Sequence, residues 1–416
     1  METTSLNRFS TTLTELTTPA RAGAVDTGTA RLQGMVATYR QALPRVDRAK
    51  RPLEWAMAQN GLGNALRLLG ERERDPGPLE EAIAIYREAL IEARRDRAPL
   101  DWAMIQNNLG VALRTLGLRE RGTGKIEEAV AAYNEALKEY RPERVPLDWA
   151  MTQSNLGAAL RNIGDRLDSP DRLQEAVSAC RQALKVRTRE RAPVDWAMTQ
   201  NNLGNALASL GERSREPILL SSAADSYRRA LQVYRRDRNP LDWAMTHNNL
   251  GNVLSSLGED RSDDAMLAQA VLAYREALKE YRREIVPLDW AMTHNNLGNA
   301  LARIGEREIG TARLKEAVTE YRLALQEYDS EKMPLDWAMT QNNLGSALQR
   351  IGEREDGIER LEEAAAAYND ALSSFIAANA IRFLQICWEN RDRVVAVIRR
   401  RRDGNRAETE LAVEEQ

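Results

Sequence analysis

The chain has little cysteine and no long apolar run. Its two cysteines, Cys180 and Cys387, lie too far apart for a zinc-binding spacing and give no disulfide framework, which favours reduced thiols. A membrane helix needs roughly 20 consecutive apolar residues, and no stretch of the sequence approaches that. Residues 1–28 are rich in Thr, Ala and Gly, lack the apolar stretch of a signal peptide and are expected to be poorly ordered. We therefore expect a cytoplasmic protein without a membrane partner.

The sequence also lacks an excess of charge of one sign. Lys and Arg number 59 and Asp and Glu 62, for a net charge of −3, so the basic excess of a nucleic-acid-binding protein is missing. The one basic cluster, residues 399–402, ends an expected helix, where cations suit the helix dipole. We find no phosphate-binding Gly-rich loop, no Ser or Cys nucleophile with a base and no metal triad. We expect no nucleic-acid partner, no cofactor and no catalytic activity.

One phrase recurs seven times: Pro-Leu-Asp-Trp-Ala-Met or a close variant, every 47 residues. Its tryptophans are Trp55, Trp102, Trp149, Trp196, Trp243, Trp290 and Trp337. A fixed period of this size indicates an array in which each unit buries its apolar face against its neighbours. We interpret the tryptophans as packing wedges between repeats, with ligand stacking as the less favoured alternative.

Each period predicts two helices. In residues 99–145, Pro99 suits the first position of a helix, and apolar residues then follow at helical spacing. Gly117 and its equivalents predict a left-handed cap, which gives a first helix of about 17 residues. A polar loop leads to a second helix with a stripe of small residues around Tyr133. The Glu-Arg pairs that follow several of these glycines are interpreted as solvated loop charges.

The apolar positions carry a family resemblance. They are Leu109-Gly110, Leu113, Ala129, Tyr133 and Ala136. This pattern resembles the Leu-Gly-x-x-Tyr and Ala-x-x-x-Phe-x-x-Ala signatures of the tetratricopeptide repeat, over about residues 29 to 375. The resemblance implies an all-α, right-handed α-solenoid of antiparallel helix pairs. The 47-residue length is similar to the repeats of kinesin light chain and of bacterial arrays attached to signalling domains.

The array has unequal ends. Residues 29–375 are expected to form one unpaired helix followed by seven repeats, and residues 376–402 an amphipathic capping helix with a bend near Asn390. Residues 403–416 are acidic and are expected to be a flexible tail.

In the family, the first helix of each pair lines the concave side, which implies a binding groove there. Just before each Leu-Gly pair lies an amide cluster such as Gln106-Asn107-Asn108, and mid-helix asparagines have no propensity reason to recur. Their donors and acceptors could hold the backbone of an extended peptide. Asn108 and its equivalents are interpreted as structural. The candidate groove residues are Asn107, Asn201, Asn205, Asn248, Asn252, Asn295, Asn299 and Asn342.

Charged and ionisable side chains modify this groove. Arg67, Arg114 and Arg161 recur two turns beyond the amides and suggest a partner with an acidic stretch. His247 and His294 replace the recurring glutamine and are interpreted as amide-like hydrogen-bonding groups, although a two-histidine metal site is the alternative.

The sequence therefore predicts a non-catalytic scaffold or sensor that binds a protein or peptide segment in the groove. The alternative is self-assembly, in which the groove takes the chain's own tail or a second copy.

Overall fold

The protein is all-α, as the sequence predicts. The computed structural model describes residues 25–73 and 75–414, with side-chain surroundings defined for residues 28–73 and 75–403. Within these ranges there are sixteen α-helices, one short 3-10 helix (Leu43–Arg45) and no β-strand. Residues 25–28 are already helical, and the rest of the segment expected to be poorly ordered, residues 1–24, lies outside the described residues.

The helices alternate between a long A helix, which begins at the proline of the repeated phrase, and a shorter B helix. The A helices are α2 (Pro52–Glu73), α4 (Pro99–Arg119), α6 (Pro146–Leu167), α8 (Pro193–Ser214), α10 (Pro240–Asp260), α12 (Pro287–Arg307) and α14 (Pro334–Arg354). The B helices are α1 (Val25–Ala42), α3 (Gly77–Glu92), α5 (Gly124–Ala136), α7 (Pro170–Leu184), α9 (Pro217–Ala230), α11 (Asp264–Ala277), α13 (Ala312–Ala324) and α15 (Glu359–Ala377); α16 (Ile381–Glu414) ends the chain. Proline at the first helical position and a carboxylate in the first turn favour each A-helix start.

The core between an A helix and its B helix is built from a glycine facing a tyrosine. Tyr133 is fully buried, and a Cβ placed on Gly110 would lie 2.6 Å from its Cε1 atom. The missing side chain therefore lets the ring fill the space between the helices. In the third repeat Cys180 takes the tyrosine's place and its Sγ atom faces Gly157, as expected of a small buried residue.

The glycines near the ends of the A helices are not left-handed caps, so that prediction is wrong. All A helices continue two or three residues beyond the glycine and span 21 or 22 residues rather than about 17. At Gly117 a Cβ would lie 2.8 Å from the Ile126 side chain, so the glycine allows the B helix to start close by. Left-handed conformations occur instead at Asp168, Arg215 and Ser262 (φ 52°, 55° and 53°).

The tryptophans contribute less to the core than the sequence suggests. Trp102 is 9 % exposed and the other six tryptophans of the repeated phrase are half-buried, while the alanine after each of them is fully buried. Trp149 packs against the cluster that contains Trp102, which supports the wedge interpretation there. Arginine covers an outer ring face in several repeats, as where the Arg95 guanidinium lies 5.5 Å from the Trp102 ring centre.

The chain divides into two compact units, one ending at Tyr234 and the other beginning at Arg235. Within each unit every A helix packs on its own B helix, each B helix packs on the next A helix, and consecutive A helices also touch. Each unit is therefore an all-α solenoid of helix pairs, α1–α9 in the first unit and α10–α16 in the second.

The arginine of the Glu-Arg pair after Gly352 is structural rather than merely solvated, which corrects the sequence interpretation there, and Arg166 in the same register has the same role. Arg307 instead pairs with the exposed Asp264. Arg166 donates to the Gly117 carbonyl oxygen (2.8 Å), and Arg354 donates to those of Gly305 (2.7 Å) and Gly310 (2.8 Å). The last carbonyl groups of a helix have no partner within the helix. These arginines therefore satisfy the end of the preceding A helix.

The last helix, α16, takes up the same contact. Arg401, which lies 47 residues after Arg354, donates to the carbonyl oxygens of Glu355 (3.1 Å) and Gly357. This is a structural role for part of the cluster at residues 399–402. The helix is continuous through Asn390 and runs to Glu414, past residue 402 where the sequence analysis ended it; residues 415–416 lie outside the described residues.

Candidate functional site on the A helices

The A helices form the inner side of each unit. Neighbouring A helices are joined by short amide side chains, whereas neighbouring B helices are spanned by long pairs such as Arg87–Glu128 and Arg322–Glu363. Closer packing on the A side than on the B side curves each unit toward its A helices. This agrees with the side that the family resemblance implies for a groove.

In the first unit, the last amide of each cluster reaches back to the middle residue of the preceding cluster. The bonds run from Asn108 to Asn60, from Asn155 to Asn107 and from Asn202 to Ser154, at 2.9 to 3.1 Å. The Asn107 oxygen also accepts from Thr152 Oγ1 at 3.2 Å. Asn107 is therefore a double acceptor that fixes the register between two repeats.

In the second unit, the same donor reaches a residue one turn further along. Asn296 Nδ2 donates to Asn252 Oδ1 (3.1 Å), which also accepts from the hydroxyl group of the buried Tyr274 (2.8 Å). An equivalent arrangement joins Asn343 and Tyr321 to Asn299. The structural role expected for Asn108 and its equivalents is thus visible in both units as a bond between repeats.

The predicted groove asparagines differ in accessibility. Asn107, Asn201 and Asn248 are only 2 % to 3 % exposed, which leaves almost no surface for a peptide. Half-buried members also take part in packing: the Asn295 oxygen accepts from Thr340, and that of Asn205 from Tyr227. Asn342 is half-buried as well, and its oxygen has no hydrogen-bond partner among the described residues. Burial therefore assigns the first three to helix packing and leaves the half-buried ones within partial reach of a ligand.

The three candidate arginines are largely occupied by their own helices. Arg67 pairs with Glu71 (2.6 Å), and Arg161 pairs with Asp165 (2.7 Å). Arg114 is half-buried, and its Nε atom has no hydrogen-bond partner in the described part of the chain. The expected cationic third of the groove is thus close to neutral at two of its three arginines.

The two histidines lie in different surroundings. His294 contacts Glu320 through Nδ1, and its ring meets Trp290 edge-on at 4.4 Å between ring centres. His247 meets Trp243 in the same way at 4.5 Å, and burial lowers its pKa, which Glu276 offsets only in part. No group of three or more metal-ligating side chains occurs within the described ranges.

Sequence reasoning missed an exposed surface near the start of the A helices. The Leu, Asp (or Glu) and Met residues of the repeated phrase, two and one positions before the tryptophan and two after it, lie partly or fully exposed in the repeats; we call them the Leu–Asp–Met surface. Its most exposed apolar members, between 37 % and 50 %, are Leu53, Leu147, Val194, Met292, Leu335 and Met339. The signal was in the phrase itself, because leucine and methionine four residues apart share one helix face.

The acidic residues of this surface form a row in each unit: Glu54, Asp101, Asp148 and Asp195 in the first and Asp242, Asp289 and Asp336 in the second. Burial raises the pKa of Tyr281, and the Asp289 and Asp242 carboxylates raise it further, so this tyrosine lies between two members of the row. Consecutive carboxylates are therefore near neighbours.

Arg187 interrupts this pattern and was also missed. It stands in the register of Tyr140 and Tyr281, is 3 % exposed, and donates to Thr199 Oγ1 (3.1 Å) while lying 3.6 Å from an Asp195 oxygen. Burial lowers its pKa, and the Asp195 carboxylate opposes this. It places a buried cation beside the first unit's carboxylates, so the acidic row is stronger in the second unit.

Comparisons with known proteins identify the repeats. A sequence model described as tetratricopeptide repeat matches residues 55–90, 243–280 and 337–375, each of which covers most of one A–B helix pair. No protein with a curated description matches the chain. Among the described helices, none combines the length and apolar character needed to cross a membrane.

Several solved structures are similar to this chain. The apo form of RapI is 11 % identical, with 96 % of this chain and 98 % of that one covered and a TM-score of 0.48. The C-terminal part of a TPR repeat-containing protein from Cytophaga hutchinsonii is 11 % identical (74 % and 93 % covered, TM-score 0.43), and MamA is 22 % identical (51 % and 93 %, TM-score 0.33). At these TM-scores the similarities support no further statement about this chain.

Proposed function

We propose that this chain, three of whose helix pairs match the tetratricopeptide-repeat model, is a non-catalytic scaffold that binds a protein or peptide segment on the A-helix side of its repeats. The observation that carries this proposal is the Leu–Asp–Met surface. Large apolar side chains exposed at one position of successive repeats form a patch that a protein partner would cover. Methionine adapts its shape to different contacts and is common on binding surfaces.

The half-buried asparagines support the same proposal in a smaller role. Asn299 and Asn342 lie on the A helices beyond the methionine row, where a partner that covers the surface could meet their remaining exposed atoms. The occupied Arg67 and Arg161 weaken the expectation of an acidic partner, because such a partner would have to displace Glu71 and Asp165. We therefore place recognition on the Leu–Asp–Met surface rather than on the arginines.

Self-assembly remains the second candidate because α16 also exposes apolar groups. Ile381, Ile386 and Trp388 are 70 %, 60 % and 43 % exposed on this helix. A second copy could cover them.

Site-specific photo-crosslinking in cells tests the proposal. A photoreactive amino acid replaces Met339 on α14 in one variant and Leu272 on α11 in a matched control, since both side chains are exposed and belong to the second unit. We expect adducts with another protein from position 339 and few from position 272. Adducts formed only from position 272, or none from either, would contradict binding on the A-helix side, and adducts only with a second copy would favour self-assembly.

A further inference from the structure

In the second unit the Leu–Asp–Met surface combines exposed apolar groups with carboxylates. Asp242 and Asp336 make no ion pair within the part of the chain that the structure describes, although the neighbouring A and B helices carry many Arg–Glu pairs. Burial raises the pKa of Asp242, which shows that its charged form has lost part of its hydration. A positively charged ligand group would offset that loss.

The row is continuous within the second unit. Burial raises the pKa of Tyr328, and the Asp336 and Asp289 carboxylates add to the effect, just as Asp289 and Asp242 do at Tyr281. Each tyrosine thus lies near two successive carboxylates. Packed helices are about 8–10 Å apart, so the carboxylates recur at about that spacing across the A helices.

From this arrangement we infer that the partner is a segment with basic and apolar residues, which lies across the A helices on the Leu–Asp–Met surface. The inference rests on the proposed function and names the chemistry of its ligand. A segment in the extended polyproline II conformation advances about 3.1 Å per residue and has three residues per turn. A Lys or Arg at every third position therefore lies on one face, about 9 Å from the next, and meets successive carboxylates. Apolar residues between them contact the leucine and methionine rows.

Charge complementarity selects this ligand over an acidic one. All seven residues directly before the repeated tryptophans are Asp or Glu. In the second unit the register of Arg187 holds Tyr281, Tyr328 and Phe375, none of which supplies a positive charge. An acidic segment on the same surface would meet like charges at each repeat. A segment that is basic but not apolar would leave Met292, Leu335 and Met339 exposed.

Three synthetic 15-residue peptides with a fluorescent label probe the inference on the full chain: repeats of Lys-Leu-Ser, of Glu-Leu-Ser and of Lys-Ser-Ser. We expect the Lys-Leu-Ser peptide to bind tightest by fluorescence anisotropy and to weaken as salt is raised. Tighter binding of the Glu-Leu-Ser peptide, or equal binding of the two lysine peptides, would overturn the inference.

A charge-removal variant locates the binding. Asp242→Asn, Asp289→Asn and Asp336→Asn together remove three carboxylates with little change of shape. The control, Asp260→Asn, Glu308→Gln and Asp356→Asn, removes three exposed carboxylates near the opposite ends of the same helices. Each exposed ion pair is worth about two- to fivefold in affinity, so the first variant should bind the Lys-Leu-Ser peptide about tenfold or more weakly and the control about as wild type.

The two proposals can fail separately. Equal loss in both variants, or none in either, would remove the carboxylate row as the recognition element. A chain that binds no peptide but crosslinks to a partner from position 339 keeps the scaffold function and loses its basic ligand. Circular dichroism of each variant, expected to equal wild type because Asn and Gln keep the size of the side chains they replace, excludes unfolding as the cause of lost binding.

Discussion

The two units join neighbouring A helices by hydrogen bonds to different acceptors. In the first unit Asn107 accepts from two residues of the next repeat, and in the second unit Asn252 and Asn299 play the double-acceptor role one helical turn later. The difference follows the sequence: the later position holds Val111 and Ala158 in the first unit, which cannot accept. The first repeat is an exception, because its later position holds Asn64, which could accept. Asn108 nevertheless donates to Asn60, and nothing in the structure explains that choice.

The comparison teaches that the donor is fixed while the acceptor can shift. The last amide of each cluster is present in every repeat from the second to the seventh. Within each unit it donates to whichever oxygen the preceding repeat offers. A polar contact between repeats can therefore persist while the residues that form it change.

The largest expected effect on stability comes from the buried tyrosine that both units share. Tyr133→Ala in the first unit and Tyr274→Ala in the second should each lower the free energy of unfolding by about 3–5 kcal/mol, because both rings are fully buried against a glycine. Urea unfolding followed by circular dichroism measures the loss. A loss below about 1 kcal/mol in either unit would show that its helices close over the cavity.

The next effect separates the units by their acceptors. Asn107→Ala should cost about 1–3 kcal/mol, because it leaves Thr152 and Asn155 without their buried acceptor. Asn295→Ala should cost less, about 0.5–1 kcal/mol, because its half-buried oxygen accepts only from Thr340. Hydrogen exchange of the affected repeats would show the ranking, and a reversed order would contradict the assigned acceptors.

A smaller effect comes from the tyrosine hydroxyl groups. Tyr274→Phe removes the bond to Asn252 and should cost about 0.5–1.5 kcal/mol. Tyr133→Phe should be neutral or slightly stabilising, because Val111 offers no acceptor and the Tyr133 hydroxyl group has no partner among the described residues. Thermal unfolding of the pair tests this, and equal shifts in Tm would contradict it.

The smallest effect concerns the thiol groups, one in each unit. Burial raises the pKa of Cys180 to about 12 and that of Cys387 to about 11. At pH 8 the reactive thiolate is then about one part in ten thousand and one part in a thousand respectively. A thiol-reactive reagent should label neither in the folded protein and both in urea. Rapid labelling of Cys180 without denaturant would contradict its burial.

The sequence predicted the repeat architecture well because the 47-residue period and the Pro, Gly and Tyr positions depend on local rules. It placed the A-helix ends wrongly, because Gly117 serves a contact with Ile126 that only the folded pair reveals. Neighbouring asparagines such as Asn107 and Asn108 point in directions about 100° apart on a helix. Which one is buried depends on the next repeat, and no single repeat contains that information.

The sequence indicated the A helices as the candidate site but not which of their side chains are exposed, because exposure depends on how neighbouring repeats pack. The A helices were chosen by resemblance, and the amides drew attention because they are unusual in helices, while the leucine and methionine of the repeated phrase were assigned no role. The structure shows the opposite distribution: Asn107 is buried, and Met339 is exposed. Residue type alone suggested the wrong solvent exposure.

Arg401 has a consequence for how such a chain can change in length. Arg401 lies 47 residues after Arg354, at the position from which the arginine of a further repeat would donate to the backbone of the repeat before it. The contact that ends the array therefore follows the same 47-residue spacing as the contacts between its repeats. A duplication or deletion of one whole period between the ends leaves the final repeat still facing Arg401, so the number of repeats can vary in evolution without a new terminus having to arise each time.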